Sequence, residues 1–277
     1  MPAPPSKRAR TSSITVEQVN AEMATPPTRK LKQHETLWFE DGNIVLATDV
    51  HLYSVHRGVL AKNSTVFKDM LDLPNVGGTL DAEAEGVGNG DSWEGKPLVR
   101  MVGDSDEDIS NILMALYDVK FYSAHKPTTL PILLSLIRMS TKYNFSDIRD
   151  EVTRHLQRCY PSDLSSMERR NFDDLFVDHE NEAEDYDFQL LAVAQQCNMK
   201  TILPMLYFDC AASDLDLILE ASESLNIPKD CFKRILRGHV MLTEYAHHKR
   251  DPSFRYPPEM HRDMLDSQIS SPCEIRG

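Results

Sequence analysis

Long apolar runs are missing from this 277-residue chain. None approaches the ~18 residues that a membrane-crossing helix needs, so a spanning protein is not expected. Basic residues are in deficit: 30 Lys and Arg stand against 43 Asp and Glu, a formal charge of −13. That sign argues against a surface that coats nucleic-acid phosphates, so no direct nucleic-acid contact is expected. Cysteine is sparse, with Cys159, Cys197, Cys210, Cys231 and Cys273 the complete set. The number is odd and no two form a Cys-x-x-Cys pair. They read as reduced, mostly buried thiols of a cytoplasmic or nuclear protein. The basic start Met1–Arg10 runs into no apolar stretch, so no secretory signal is expected.

Catalytic signatures are also wanting. There is no Gly-x-Ser-x-Gly elbow, no His-Glu-x-x-His and no Cys/His quartet among the ten histidines. Gly90-Asp91-Ser92-Trp93-Glu94-Gly95-Lys96 fits the spacing of a phosphate-binding loop. Pro97 stands where Ser or Thr would hold magnesium, however, and Asp91 and Glu94 would repel phosphate within the loop. No catalytic residue, cofactor or metal site is assigned, and the chain is not expected to be an enzyme.

What is present divides the chain unevenly. Residues 1–33 form a Pro- and Lys/Arg-rich tail expected to be disordered. Order is expected near Leu37-Trp38-Phe39, with a turn at Asp41-Gly42. Asn43–Ala47 and Val50–Val55 then read as two strands across a turn at Thr48-Asp49. A short helix from His56 follows, and Ser64 is placed to cap a second one carrying Val66, Phe67, Met70 and Leu71. Residues 72–96 hold Gly77, Gly78, Gly86, Gly88, Gly90 and Gly95, six of the chain's 11 glycines, and read as an acidic inserted loop. Leu98–Val102 reads as a strand. A helix capped by Ser105 or Asp106 comes next, then an apolar helix over 130–143 with Pro131 in its first turn, then one from Ser146 that Pro161 stops. Residues 161–184 read as an acidic linker, 185–246 as a helical extension, and 247–277 as a flexible tail.

The first ordered unit, 34–160, resembles the BTB/POZ fold. The resemblance lies in a series: strand Asn43-Ile44-Val45-Leu46, strand end Tyr53-Ser54-Val55, then His56-Arg57-Gly58-Val59-Leu60-Ala61, Ser64, Phe67 and Met70. Ile109 to Tyr117 and Ser135 to Arg149 are similar to the helices that follow in that family. Trp38-Phe39-x-Asp41-Gly42-Asn43 and Ile202-Leu203-Pro204-x-Leu206-Tyr207 bring it closest to the large fungal BTB group. The fold class implied is α+β, a small sheet with packed helices followed by an all-helical extension, and strands preceding helices agree with it. The resemblance also implies that His56 and Arg57 line a groove between two protomers, whereas the residues themselves allow local capping and packing equally well. The family commonly carries an acid at the position of Asn43. Either Asp41 supplies that charge or the charged pocket is missing.

The function expected is therefore a non-catalytic interaction module that forms a homodimer and recruits protein partners. Leu37, Trp38, Phe39, His56 and Arg57 are its candidate contact residues. An alternative is a substrate adaptor of a cullin-type ubiquitin ligase. The hydrophobic-x-Glu motif of such adaptors is absent, since Glu83, Glu85 and Glu94 follow Asp81, Glu83 and Ser92 at that spacing. A second alternative is a nuclear, transcription-related scaffold, from the import-like cluster Pro4–Arg10 and the acidic run 173–187. Around the start of that run Phe172, Leu175 and Phe176 are open to two readings, an activation segment or residues that dock on neighbouring helices.

Overall fold

A computed structural model describes residues 31–73, 92–177 and 184–248. The tail to residue 30, most of the Gly-rich loop, part of the acidic run and the stretch from 249 onwards lie outside the described residues. The molecule is a mixed α/β protein in which a five-stranded sheet is covered by helices.

The sheet comprises β1 (Lys32–Trp38), β2 (Ile44–Ala47), β3 (His51–Val55), β4 (Ser92–Trp93) and β5 (Lys96–Arg100), in the spatial order β1-β3-β2-β5-β4. β2 and β3 form the expected antiparallel hairpin, while β1 joins β3 and β5 joins β2 in parallel. Thr48 organises the hairpin turn. Its hydroxyl oxygen accepts from the N–H groups of Val50 and His51 at 3.3 and 3.0 Å, the local side-chain bonding that makes such residues turn formers. β4 and β5 are joined at Glu94 and Gly95, both at positive φ (50° and 78°). A two-residue hairpin needs that conformation, and Gly adopts it without strain. The Gly-Lys half of the phosphate-loop pattern is thus a hairpin turn, with Lys96 Nζ 3.2 Å from Ser54 Oγ.

Period-two alternation sends β2 and β3 side chains to two different cores. Ile44, Leu46, Tyr53 and Val55 face the helices, whereas Val45, Ala47 and Leu52 pack under Leu31, Trp38, Trp93 and Leu98 on the other side. With both faces covered, β2 reads as an unbroken apolar run.

Helices α1 (Arg57–Asn63) and α2 (Thr65–Leu71) meet at Ser64, whose Oγ accepts from the Phe67 N–H at 2.9 Å and donates to the Tyr143 carbonyl. Phe67 stacks on Tyr143 at 4.9 Å between ring centroids. α3 (Asp106–Tyr117) is capped by Ser105 Oγ and carries three acids in its first turn, where the helix dipole favours them. α4 (Leu130–Lys142) is buried on most sides, as its apolar pattern predicts, and packs against α3 and against α5 (Ser146–Cys159). Then come the short α6 (Leu164–Met167), a 3-10 turn at Phe172–Asp174, and α7 (Tyr186–Gln196), α8 (Leu203–Ala212), α9 (Leu215–Ser224) and α10 (Lys229–His248).

One hydrophobic cluster runs from Leu37 through α4 to Ile235 in α10. α7 packs on α4, and Arg149 of α5 donates to the Cys197 carbonyl at 2.9 Å. Residues 161–177, within the stretch read as a linker, take part in this core. Leu175 and Phe176 are buried, and the Thr128 N–H donates to the Leu175 carbonyl at 2.8 Å. Between α8 and α10 the backbones come close enough that a Cβ on Gly238 would lie 2.9 Å from that of Ala211.

Ser64→Ala removes both the α2 cap and the donor to a buried carbonyl. We expect a loss of about 2 kcal/mol or more in urea unfolding, the upper range for a lost cap, because the Tyr143 carbonyl is left unsatisfied as well.

Candidate interaction surface

Among the described residues β1 is one of the two edge strands of the sheet, and alternation along it separates the three aromatic and aliphatic candidates. Leu37 points into the helical core and is 1% exposed. Trp38 lies on the opposite face, partly exposed beside Val45, Ala47 and Leu52. Phe39 is partly exposed too. It stacks on Tyr117 at 4.9 Å and sits 5.2 Å from the His56 ring. Leu37 is therefore occupied internally, and only Trp38 and Phe39 of the three offer surface.

His56 and Arg57 open α1. The Tyr117 hydroxyl accepts from the His56 backbone N–H at 2.9 Å, and His56 Nε2 lies 3.2 Å from Asp41 Oδ1. Asn43 Oδ1 accepts from the Arg57 N–H at 2.7 Å, and the guanidinium donates to the Leu71 carbonyl, with Asp72 at 3.9 Å. The acid beside the His56 ring is Asp41. Asn43 serves the helix start instead. Both basic side chains are satisfied locally and stay partly exposed; pairs of this kind contribute about 0–1 kcal/mol.

Two further clusters escaped sequence reasoning because their members lie far apart in the chain. In the first, the Asp106 carboxylate accepts from Thr48 Oγ1 and from Tyr53 OH (2.8 Å) and pairs with His51 Nδ1 (2.7 Å). Hydrogen bonds from these three groups hold the Asp106 carboxyl low against the opposing effect of burial. His34 Nε2 lies 3.2 Å from Ser110 Oγ, which looks like a nucleophile and its base. His34 Nδ1 accepts backbone N–H groups, however, so the ring proton is on Nε2 and the ring cannot take the Ser110 proton there.

The second cluster joins the helices after α5. Arg170 makes a two-pronged pair with Asp209 of α8 at 2.6 and 2.8 Å, and the Tyr160 hydroxyl donates to Asp187 of α7 at 2.7 Å. One guanidinium faces two largely buried carboxylates. Burial pushes the Asp187 carboxyl up to about 7, the Tyr160 hydroxyl acting the other way and Asp209 adding to the rise. Phe172, just before the acidic run, lies under the Arg170 guanidinium at 5.2 Å. With Leu175 and Phe176 buried, this segment docks on neighbouring helices.

Cys159, Cys197, Cys210 and Cys231 are buried thiols. Burial pushes Cys159 up to about 12, which leaves almost no thiolate at neutral pH. Among the described residues no three His, Cys, Asp or Glu side chains converge to hold a metal ion, and no helix is long and apolar enough to cross a membrane. A cavity of about 400 Å³ opens between α8 and α10, lined by Phe208, Ala211, His239, Leu242 and His247 among others. The Pro4–Arg10 cluster and the Glu83 and Glu85 positions lie outside the described residues. Compared with protein-family models and with curated proteins, the chain gives no match.

Asp187 binds its proton more tightly in the fold than in the unfolded chain, so its contribution to stability falls as pH rises from about 4 towards 7. Asp187→Asn keeps an acceptor for Tyr160 and removes the charge. Urea midpoints should show the variant more stable than the parent near pH 8, with the gap closing near pH 5.

Proposed function

We propose that the chain is a non-catalytic protein-interaction module of BTB/POZ type, which self-associates as a homodimer and recruits other proteins in the cytoplasm or nucleus. Its element order supports this reading. An N-terminal strand, the β2/β3 hairpin, the paired helices α1 and α2 opened by His56-Arg57, and the α3–α5 layer follow the series of the resemblance. The observation that carries the reading is the exposed margin of β1. Among the described residues no strand pairs with its outer edge, and Trp38 and Phe39 stay partly exposed where it ends.

An unpaired edge is a template for another backbone. Aromatic residues are enriched in contact surfaces, and a two-fold arrangement lets one patch serve both copies and close the assembly. Leu37 contributes by holding the strand to the core. His56, Asp41 and Arg57 flank Phe39 and supply a polar rim. The cullin-adaptor reading turns on the loop 72–96 and the nuclear-scaffold reading on Pro4–Arg10, and neither gains support from a described contact.

Size-exclusion chromatography with light scattering at micromolar concentration should return twice the chain mass. Trp38→Ala and Phe39→Ala should each weaken association by on the order of tenfold or more while leaving the circular dichroism spectrum intact. Leu37→Ala should act differently, lowering unfolding stability by about 2–5 kcal/mol. A strictly monomeric parent protein would overturn the proposal.

A further inference from the structure

β1 and β3 pair in register at Lys32–His51, Gln33–Leu52 and Trp38–Ser54. Between the last two pairs, five steps along β1 match two along β3, so His34–Leu37 bulges out of the ladder. A bulge deprives backbone N–H groups of their cross-strand partners, and these must be satisfied elsewhere. Thr36 and Leu37 donate theirs to one atom, Nδ1 of His34, at 3.3 and 3.2 Å. A ring nitrogen that accepts carries no proton, so Nε2 carries it and faces Ser110 Oγ of α3 at 3.2 Å. The ring is stacked on Tyr53 at 5.0 Å and lies edge-on to His51 at 5.4 Å.

We propose that His34 is the positioning residue of the docking strand: its neutral ring clasps the β1 bulge, and its protonation opens the clasp and weakens self-association. The last step rests on the self-association reading; the clasp itself does not. The odd number of extra residues in the bulge sets the phase of the strand, so that Leu37 rather than Trp38 enters the helical core. A proton on Nδ1 turns the shared acceptor into a third donor aimed at two N–H groups, and the register it maintains is lost.

The groups facing the ring come from three elements. β1 supplies Glu35, β3 supplies His51 and Tyr53, and α3 supplies Asp106 and Ser110. Asp108, further along α3, is taken up by Arg138 at 2.7 Å. Burial and then His51 lower the His34 value from 6.5, outweighing Asp106 and Glu35. The ring is neutral at pH 7, and the stability it confers is complete above about pH 6.5 and lost as pH falls below it.

The test follows amide protection at Thr36 and Leu37 by NMR hydrogen exchange on the full chain, with light scattering on the same samples, near pH 7.5 and near pH 5.5. His34→Asn places an oxygen acceptor where Nδ1 lies and does not titrate; His34→Ala removes the acceptor. In the parent, protection should fall by on the order of tenfold at the lower pH, the size of one lost hydrogen bond. It should persist in His34→Asn and be absent at both pH values in His34→Ala, with the dimer weakening whenever protection is lost. Unchanged parent protection, or a His34→Asn variant that responds as the parent does, would overturn the clasp, even if the dimer still dissociated in acid. Protection that responds as expected in a chain that is monomeric at both pH values would uphold the clasp and remove the self-association reading beneath it.

Discussion

A hairpin that is apolar on both sides must be covered on both sides, and the architecture around β2 and β3 follows from that requirement. Ile44, Leu46, Tyr53 and Val55 are closed off by helices. Among the described residues, the apolar side chains packed over Val45, Ala47 and Leu52 come from the sheet's own margins, Leu31 and Trp38 from one end and Trp93 and Leu98 from the other. The helical cover is deep and continuous, reaching through α4 into the C-terminal helices. The other cover is thin, which is why the residues that supply it keep part of their surface exposed. Burial of this kind contributes about 25 cal/mol per Å² of apolar area, so most of the hairpin's stabilisation comes from the helical side.

Polar chemistry in this molecule is spent on joining elements. Asp106 ties the hairpin turn to α3, Asp108 ties α3 to α4 through Arg138, and Asp209 ties α8 to the segment after α6 through Arg170. His155, fully buried, takes the Tyr122 hydroxyl on one nitrogen and faces the Asp174 carbonyl on the other at 3.0 Å. Each such group is paired, as burial requires, and each lies where two elements of distant sequence meet. Side chains that would suggest reactivity in isolation are the fastenings of a helical assembly.

Local signals made much of the fold legible. The Thr48-Asp49 turn, the Ser64 and Ser105 caps, Pro131 in the first turn of α4 and the helical character of 185–246 are short-range physics, and each stands where its pattern pointed. β1 was harder to see. The strand opens at Lys32, inside the segment assigned to the tail, because its bulge breaks the alternation by which a strand is recognised. β5 begins at Lys96 rather than Leu98 because pairing with β4 and β2, not apolarity, sets its start. The candidate contact residues were legible only in part. Trp38, Phe39, His56 and Arg57 announced themselves through a motif, but that Leu37 faces inward depends on a three-residue excess that shows only against β3. The Asp106 and Asp187 clusters join residues with no spacing to detect.

Gly238 lies in the middle of α10, where glycine costs about 1 kcal/mol relative to alanine. Its compensation is contact: with no side chain there, α10 rests directly against Ala211 of α8. Any larger residue would act as a wedge near the midpoint of a 20-residue lever. The two turns beyond it, from Leu242 to His247, would swing away from Phe208 and widen the cleft they border. The shape of that cleft is in this sense governed by one absent methyl group, placed where a helix with no neighbour would have no reason to lack it.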